Sequence, residues 1–190
     1  MKKFFTIIVL TSLAVAAKAQ SSSTTVSGTR YSIGIDAGVP TGHLSQAYTK
    51  VLGGSFQADI PLSKQIFITL NAGYLNMFGH TYSVAQLAGA PTFTSSDVHL
   101  LPLKAGLKFF PIAHLYFQGE AGAMLLLNKS AYYNDKSVAF TYAPQVGIQL
   151  PIGGGDVIDA GIRYEKTTQY SPGPNGSTIQ FWALRVAYGF

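Results

Sequence analysis

The chain has 190 residues, of which 47% are hydrophobic, 13% are aromatic and only 11% are charged. A soluble domain usually carries charge on about a quarter of its residues, so this composition favours a protein with a large apolar surface. The formal net charge is +5, but three lysines lie within the first 19 residues and the rest of the chain carries about +2. This balance excludes a nucleic-acid-binding surface built on bulk basicity.

The first element in chain order has the features of an export signal. Lys2 and Lys3 precede an apolar run over residues 4–17, and the run closes on Ala17-Lys18-Ala19, the small-x-small pattern that signal peptidase accepts. The run of 14 residues is shorter than the roughly 18 to 20 that a membrane-spanning helix needs. A cleaved signal is therefore favoured over a retained membrane anchor. We predict a signal peptide over residues 1–19 with cleavage near Ala19, a polar leader over 20–29 and one folded domain over 30–190.

From residue 30 onward, apolar residues alternate with small or polar residues at a period of two, which is the pattern of a β-strand with two different faces. In the first segment Ile33 and Ile35 lie on one face, and Gly34 and Asp36 lie on the other. Eight segments show this alternation: 31–39, 55–62, 66–74, 101–109, 117–125, 140–150, 158–165 and 178–190. The sequence therefore predicts an all-β fold.

The connections between these segments differ in length according to their order. Short turns follow the second, fourth and sixth segments, over residues 61–65, 110–114 and 151–156. Long polar loops follow the first, third, fifth and seventh, over residues 40–53, 76–97, 128–137 and 166–176. Short turns on one side and long loops on the other are typical of a transmembrane up-and-down antiparallel β-barrel, here with eight strands. Segments of about 9 to 11 residues are also long enough to cross an apolar layer when tilted.

The connection over residues 76–97 leaves the strand count open. It contains Tyr82 and Val84, then Ala88-Gly89-Ala90-Pro91, then Thr92-Phe93-Thr94. We interpret it as a hairpin that extends the third and fourth strands beyond the lipid. The alternative is two further spanning strands, ten in all, but these pieces are short and lack an apolar face.

Outward-facing aromatic residues gather at the strand ends, as expected at the two lipid interfaces of a barrel. We assign Phe56, Tyr74, Phe140, Tyr142, Tyr164 and Trp182 to the loop-side end. We assign Tyr31, Phe109, Phe117, Tyr188 and Phe190 to the turn-side end.

The last segment carries bulky side chains on one face and ends on an aromatic residue. That face holds Trp182, Leu184, Val186, Tyr188 and Phe190, and Arg185 lies on the other. The segment resembles the carboxy-terminal strand of bacterial outer-membrane barrels. Together with the export signal, the alternation and the loop pattern, it makes residues 30–190 similar to the small outer-membrane β-barrel family, typified by the eight-stranded membrane domain of OmpA.

The resemblance implies a location and a set of partners. It places the protein in the Gram-negative cell envelope, as a monomeric, multi-pass, porin-like barrel of the outer membrane. Outer-membrane lipid and lipopolysaccharide would surround it, and the barrel-assembly machinery would recognise its carboxy-terminal strand. Any extracellular ligand of the loops is unknown.

Charged residues are expected on the inward faces. The acids are Asp36, Asp59, Glu120, Asp159 and Glu165, and the bases are Lys104, Lys108, Arg163 and Arg185. Enclosed charges must pair or keep water because an isolated one is very costly, and we expect Arg185 to point toward acids such as Asp36. The interior of an eight-stranded barrel is just wide enough for side chains to fill. We therefore predict a plug of ion pairs, with a charged path for small ions as the alternative.

No group of residues predicts catalysis. His43, His80, His99 and His114 are scattered without the spacing of metal ligands. Outer-membrane lipid deacylases use a serine, a histidine and an acid, and nothing in the sequence fixes such a trio. We predict a non-enzymatic barrel without metal or cofactor, with a structural or surface-interaction role through its four long loops. A narrow channel is the first alternative, and a lipid-modifying hydrolase is the second.

Overall fold

The computed structural model describes residues 28–83, 92–128, 136–170 and 178–190. The predicted signal peptide over residues 1–19, with its cleavage near Ala19, lies outside the described residues, and so does most of the predicted leader over residues 20–29. Within the described ranges, no helix has the length and apolar character needed to cross a membrane.

The described residues are mainly β-strand. The strands are β1 Arg30–Pro40, β2 Tyr48–Pro61, β3 Ile66–Gly79, β4 Thr81–Ser83, β5 Thr92–Thr94, β6 Val98–Phe109, β7 Leu115–Leu126, β8 Val138–Gly153, β9 Asp156–Thr167 and β10 Gln180–Gly189, and a short 3₁₀ helix covers Gly42–Gln46. Eight of the strands close into a barrel in the order β1-β2-β3-β6-β7-β8-β9-β10, with β10 paired back to β1. Each neighbouring pair is antiparallel. The predicted all-β, up-and-down, eight-stranded barrel is confirmed.

The strands β4 and β5 form a separate two-stranded antiparallel sheet, in which Tyr82 is paired with Phe93. The barrel wall continues without them, because β3 pairs directly with β6 from Ile66↔Phe109 to Met77↔Val98. The hairpin interpretation of this connection is therefore confirmed. The ten-strand alternative is wrong.

The first and last strands close the barrel along most of their length, from Ser32↔Gly189 to Pro40↔Phe181. Beyond that ladder, the backbone N–H of Phe190 donates to the carbonyl oxygen of Tyr31 at 2.8 Å, and Tyr31 returns a bond to the Phe190 carbonyl at 3.1 Å. The final aromatic residue is thus part of the seam that closes the barrel.

Three strands extend further toward the loops than the alternation predicted. β2 begins at Tyr48, β3 continues to Gly79 and β6 begins at Val98. A register shift between Tyr48 and Lys50 interrupts the period of two at the start of β2. The assignment of Phe56 to the loop-side end is therefore wrong: the Phe56 ring stacks on Tyr31, near the turn-side end of β1, with ring centroids 5.8 Å apart.

The outer face of the barrel is apolar. Large hydrophobic side chains point away from the interior, and Ile35, for example, is 70% exposed. Aromatic side chains pair at both ends of this surface: Trp182 lies 5.1 Å from Tyr164 on the loop side, and Tyr188 lies 6.1 Å from Phe190 on the turn side, measured between ring centroids. This distribution is the reverse of that in a soluble domain, in which bulky apolar residues fill the inside.

The turn-side connections are short, as predicted. Between β2 and β3 the backbone N–H groups of Leu62 and Ser63 donate to the carbonyl oxygen of Ile66 at 2.8 and 3.0 Å. Between β8 and β9 the turn contains Gly153–Gly155, with φ angles of 106°, 68° and 98°. These φ values lie in the region that favours glycine, so the three consecutive glycines are the residues that allow the chain to reverse there.

Candidate functional site in the barrel interior

The structure places all nine of the predicted interior charges inside the barrel, and none is more than 5% exposed. We call them the interior charge network: Asp36, Asp59, Lys104, Lys108, Glu120, Asp159, Arg163, Glu165 and Arg185. Their positions follow from the strand alternation, because each occupies an inward position between two outward-facing residues. Six of the eight wall strands contribute to the network, namely β1, β2, β6, β7, β9 and β10.

Lys108 is the centre of the part of the network nearest the turns. Its Nζ lies 2.7 Å from Asp59 Oδ2 and 3.3 Å from Asp159 Oδ2. The same ammonium lies 4.5 Å from the centroid of the Tyr116 ring, and the Tyr116 hydroxyl donates to Asp159 Oδ1 at 2.7 Å. Each charge here therefore has at least one partner of opposite charge.

A second group of charges lies further toward the loops. Lys104 Nζ is 2.7 Å from Glu165 Oε2 and 3.6 Å from Glu120 Oε2. Arg163 forms an ion pair with Asp36 across the interior, and its Nε lies 3.4 Å from Glu165 Oε2. Two bases thus contact three acids, and the pairs Lys104–Glu165 and Arg163–Asp36 join strands that are not neighbours in the wall.

Arg185 does not contact the acid expected from the strand pairing. Asp36 and Arg185 are register partners on β1 and β10, but Arg185 Nε donates to the Ser55 hydroxyl at 3.0 Å and Nη1 lies 3.7 Å from Asp159 Oδ1. The Ser55 hydroxyl in turn donates to Asp36 Oδ2 at 2.6 Å. A serine therefore lies between Arg185 and Asp36, and the acid that Arg185 contacts is Asp159.

Arg30 is an interior base that the sequence analysis missed. Its Nη1 donates to Gln149 Oε1 at 3.2 Å, and Gln149 Nε2 donates to Asp159 Oδ2 at 3.0 Å. This chain of hydrogen bonds links a fifth base to Asp159. The signal was present in the sequence, because Arg30 continues the inward alternation of Ser32 and Asp36 by one more step.

The loop-side half of the interior is apolar, which the sequence analysis also missed. We call this cluster of buried side chains the apolar cap: Tyr48, Val51, Leu75, Met77, Val98, Leu100, Met124, Leu126, Ala139, Tyr170, Ile179, Phe181 and Ala183. Leu44 of the 3₁₀ helix and Ala47 pack against it. Hydrophobic side chains thus lie between the interior charge network and the loops.

Residues on both sides of the segment 171–177 hold the chain against the apolar cap. The Tyr170 hydroxyl donates to the carbonyl oxygen of Met124 at 3.1 Å, and the backbone N–H of Ile179 donates to Thr167 Oγ1 at 2.9 Å. Burial raises the pKa of Tyr170, with a smaller contribution from the negative charge of Glu165. The phenol therefore stays neutral and donates its proton to the backbone of β7.

A carboxylate fixes the loop-side rim where β3 ends. Asp97 Oδ1 accepts a hydrogen bond from the backbone N–H of Gly79 at 3.0 Å, and Oδ2 accepts one from Asn76 Nδ2 at 3.1 Å. These two bonds lower the pKa of Asp97 because they stabilise its charged form, and the bond from the Gly79 backbone contributes most. Both of these contacts of Asp97 are structural, because they hold the loop-side end of β3.

The four histidines lie apart from one another. His99 Nδ1 is 2.8 Å from the Tyr74 hydroxyl, and His114 Nδ1 is 2.9 Å from the carbonyl oxygen of Gln149 in a turn on the opposite side. His43 lies in the 3₁₀ helix, and the backbone N–H of His80 donates to the Ala47 carbonyl oxygen. A search of the described ranges finds no group of three or more histidines and acids that could hold a metal ion.

No family model and no curated protein matches this sequence. Among solved structures, the chain is similar to the outer membrane protein OprG from Pseudomonas aeruginosa, with a TM-score of 0.53 and 12% identity over 86% of this chain and 95% of that chain. It is also similar to Ail of Yersinia pestis, with a TM-score of 0.48 and 15% identity over 86% of this chain and 100% of that one. The amino-terminal barrel domain of Pseudomonas aeruginosa OprF is similar too, with a TM-score of 0.46 and 14% identity over 85% of this chain and 97% of that one. The likeness to OprG is one of fold, and it confirms the predicted resemblance to small outer-membrane barrels in architecture.

Proposed function

We propose that this protein is a non-enzymatic, monomeric barrel of the outer membrane with a closed interior and a structural or surface-interaction role through its long loops. The observation that carries the proposal is the filling of the interior. Charged side chains in mutual contact extend from the turn side into the middle of the barrel, and the apolar cap fills the space between them and the loops. An apolar layer over paired charges leaves the loops, and not the interior, as the surface available to extracellular partners.

The membrane location rests on the outer face of the barrel. A continuous apolar surface with aromatic side chains at both ends is stable in lipid and not in water. Lipid and lipopolysaccharide would contact this surface. We also propose that the barrel-assembly machinery recognises the carboxy-terminal strand through Trp182, Leu184, Val186, Tyr188 and Phe190. After cleavage near Ala19, the exported chain would insert as a multi-pass barrel.

Conductance across a planar lipid bilayer tests the closed interior. The refolded protein should add no stable single-channel steps at moderate voltage, although it inserts. Insertion is checked separately by the shift in gel mobility between boiled and unboiled samples. Stable steps from an inserted sample would contradict the closed barrel and favour the first alternative, a narrow channel lined by the interior charge network.

Incubation with lipid A tests whether the protein has a lipid-hydrolase activity. Outer-membrane lipid deacylation needs a serine activated by a histidine, and Ser45 instead donates its hydroxyl proton to the carbonyl oxygen of Gly42 at 2.8 Å. Refolded protein incubated with radiolabelled lipid A should leave the lipid unchanged. Release of labelled fatty acid would favour the second alternative, and its loss in Ser45→Ala would identify the nucleophile.

A further inference from the structure

The turn side of the barrel has a cavity that the proposed function does not use. Its volume is about 290 Å³, and Gln65, Phe67, Phe110 and Gln149 line it. The rings of Phe67 and Phe110 meet edge to face with centroids 5.6 Å apart. Phe110 also packs on the fully buried Tyr116, with centroids 5.7 Å apart. The inner part of this cavity, which we call the turn-side cup, is therefore aromatic and supported by the barrel interior.

Two cationic side chains, Arg30 and Lys64, also line the turn-side cup. Gln149 holds the guanidinium of Arg30 through one hydrogen bond, and within the described part of the chain Arg30 contacts no carboxylate. Lys64 is exposed, and in the same described ranges it too has no acidic partner. The nearby interior acid Asp59 is already paired with Lys108 at 2.7 Å. The cup thus combines an aromatic inner surface with two positive charges that no acid contacts.

We propose that the turn-side cup binds small aromatic anions, in which a phosphate or carboxylate group is attached to one aromatic ring. The ring would pack against Phe67 and Phe110, where offset or edge-to-face contact is favourable. The anionic group would lie between Arg30 and Lys64, and an arginine suits the geometry of a phosphate or carboxylate. The volume is at the lower limit of ligand pockets, so one ring fits and a dinucleotide does not. This site does not depend on whether the interior conducts.

Phenyl phosphate is the probe that tests the proposal. It is titrated into uniformly ¹⁵N-labelled, refolded protein in neutral detergent micelles, and amide chemical shifts are followed. We expect saturable shifts at Gln65, Phe67 and Phe110. Lys64→Gln should weaken binding by about three- to fivefold, the range expected for loss of one exposed ion pair. Lys64 is exposed, so this change leaves the fold intact, as an unchanged gel-mobility shift would verify.

Two controls separate a site from general adsorption. Lys136→Gln removes an exposed lysine at the loop side, just before β8, and it should bind phenyl phosphate as the parent does. Benzyl alcohol has the ring without the charge, and it should bind at least about threefold more weakly because the ion pairs are lost. Shifts that never saturate, equal affinity for benzyl alcohol, or equal weakening by Lys64→Gln and Lys136→Gln would each overturn the proposal.

Discussion

Replacing Lys108 with methionine tests whether the interior charge network stabilises the barrel. Methionine keeps much of the length of the side chain and removes the ammonium, so the change is chiefly one of charge. In the parent, this ammonium is the base that contacts Asp59, at 2.7 Å, and it also contacts Asp159, at 3.3 Å. Both acids stay buried after the substitution, which is the source of the expected loss of stability.

The free energy of unfolding should fall by about 3 kcal/mol. Removing one partner of a buried ion pair costs about 3–5 kcal/mol because the other charge remains buried without compensation. Here the lower end applies, since both acids keep other donors. Asp59 Oδ1 accepts from Gln57 Nε2 at 2.6 Å, and Asp159 accepts from the Tyr116 hydroxyl and from Gln149 Nε2 at 2.7 and 3.0 Å.

Urea unfolding of the protein refolded into lipid vesicles measures this loss, with the fluorescence of Trp182, the single tryptophan, as the signal. Lys136→Met is the matched control, because this exposed lysine should change stability by no more than about 0.5 kcal/mol. After Lys108→Met, Asp159 still has Arg185 Nη1 at 3.7 Å, so Asp59 is the acid whose charge loses its ion pair. The double variant Lys108→Met/Asp59→Asn removes that charge, so its stability should lie between those of Lys108→Met and the parent. A loss below about 1 kcal/mol for Lys108→Met, or a double variant less stable than the single one, would refute the reasoning.

Three further predictions concern the seam and the loop-side rim. Phe190→Ala should lower the amount of heat-modifiable barrel in cells without changing signal processing. Alanine keeps the backbone bonds of the seam but removes the outward-facing ring, which lies 6.4 Å from Tyr31 and 6.1 Å from Tyr188 between centroids and belongs to the proposed assembly signal; normal assembly would count against it. Asp97→Ala should speed hydrogen exchange at the Gly79 amide. The pKa of Asp97 is lowered, so the protection of the Gly79 amide is complete above the ordinary carboxyl pKa and is lost as the pH falls through the lowered value. In acid, the parent and the variant should therefore exchange this amide at the same rate. A difference in rate that persists there would contradict the role given to the Asp97 carboxylate. Tyr170→Phe should destabilise the barrel by about 1 kcal/mol through loss of one buried hydrogen bond, and an unchanged urea midpoint would contradict that contact.

The sequence was sufficient to predict the architecture because a strand in lipid needs apolar side chains on its outer face and tolerates polar ones on its inner face. In β10 the bulky residues Leu184 and Val186 face outward and Arg185 faces inward, so the alternation alone gives the side on which each residue lies. The same contrast located all nine interior charges. The alternation failed at the loop-side ends of β2 and β3, since Val51, Leu75 and Met77 are apolar and point inward, whereas the polar residues Lys50 and Asn76 lie on the outward face.

The contacts between interior charges could not be predicted in the same way. Neighbouring strands follow from the chain order, but contacts across the interior depend on the tilt and stagger of the whole barrel. Arg163 on β9 reaches Asp36 on β1, although β10 lies between them in the wall. Arg185 is the direct register partner of Asp36 and contacts Ser55 and Asp159 instead. Side-chain length and the position of one serine decide this outcome, and neither leaves a periodic signal.

The apolar cap and the interior charge network support each other physically. Charges in contact attract more strongly where water is excluded, and the apolar cap excludes water from the loop side of Lys104, Arg163 and their acids. Water exclusion also makes any unpaired charge costly, so the buried charges beneath the apolar cap lie in contact with one another. In the proposed closed barrel, the apolar cap covers the charges toward the loops, and Arg30 and Lys64 lie on the turn side. If the cap is what seals the barrel, replacing the fully buried Met124 and Leu100 by serine should admit water to the charges and produce conductance steps that the parent lacks.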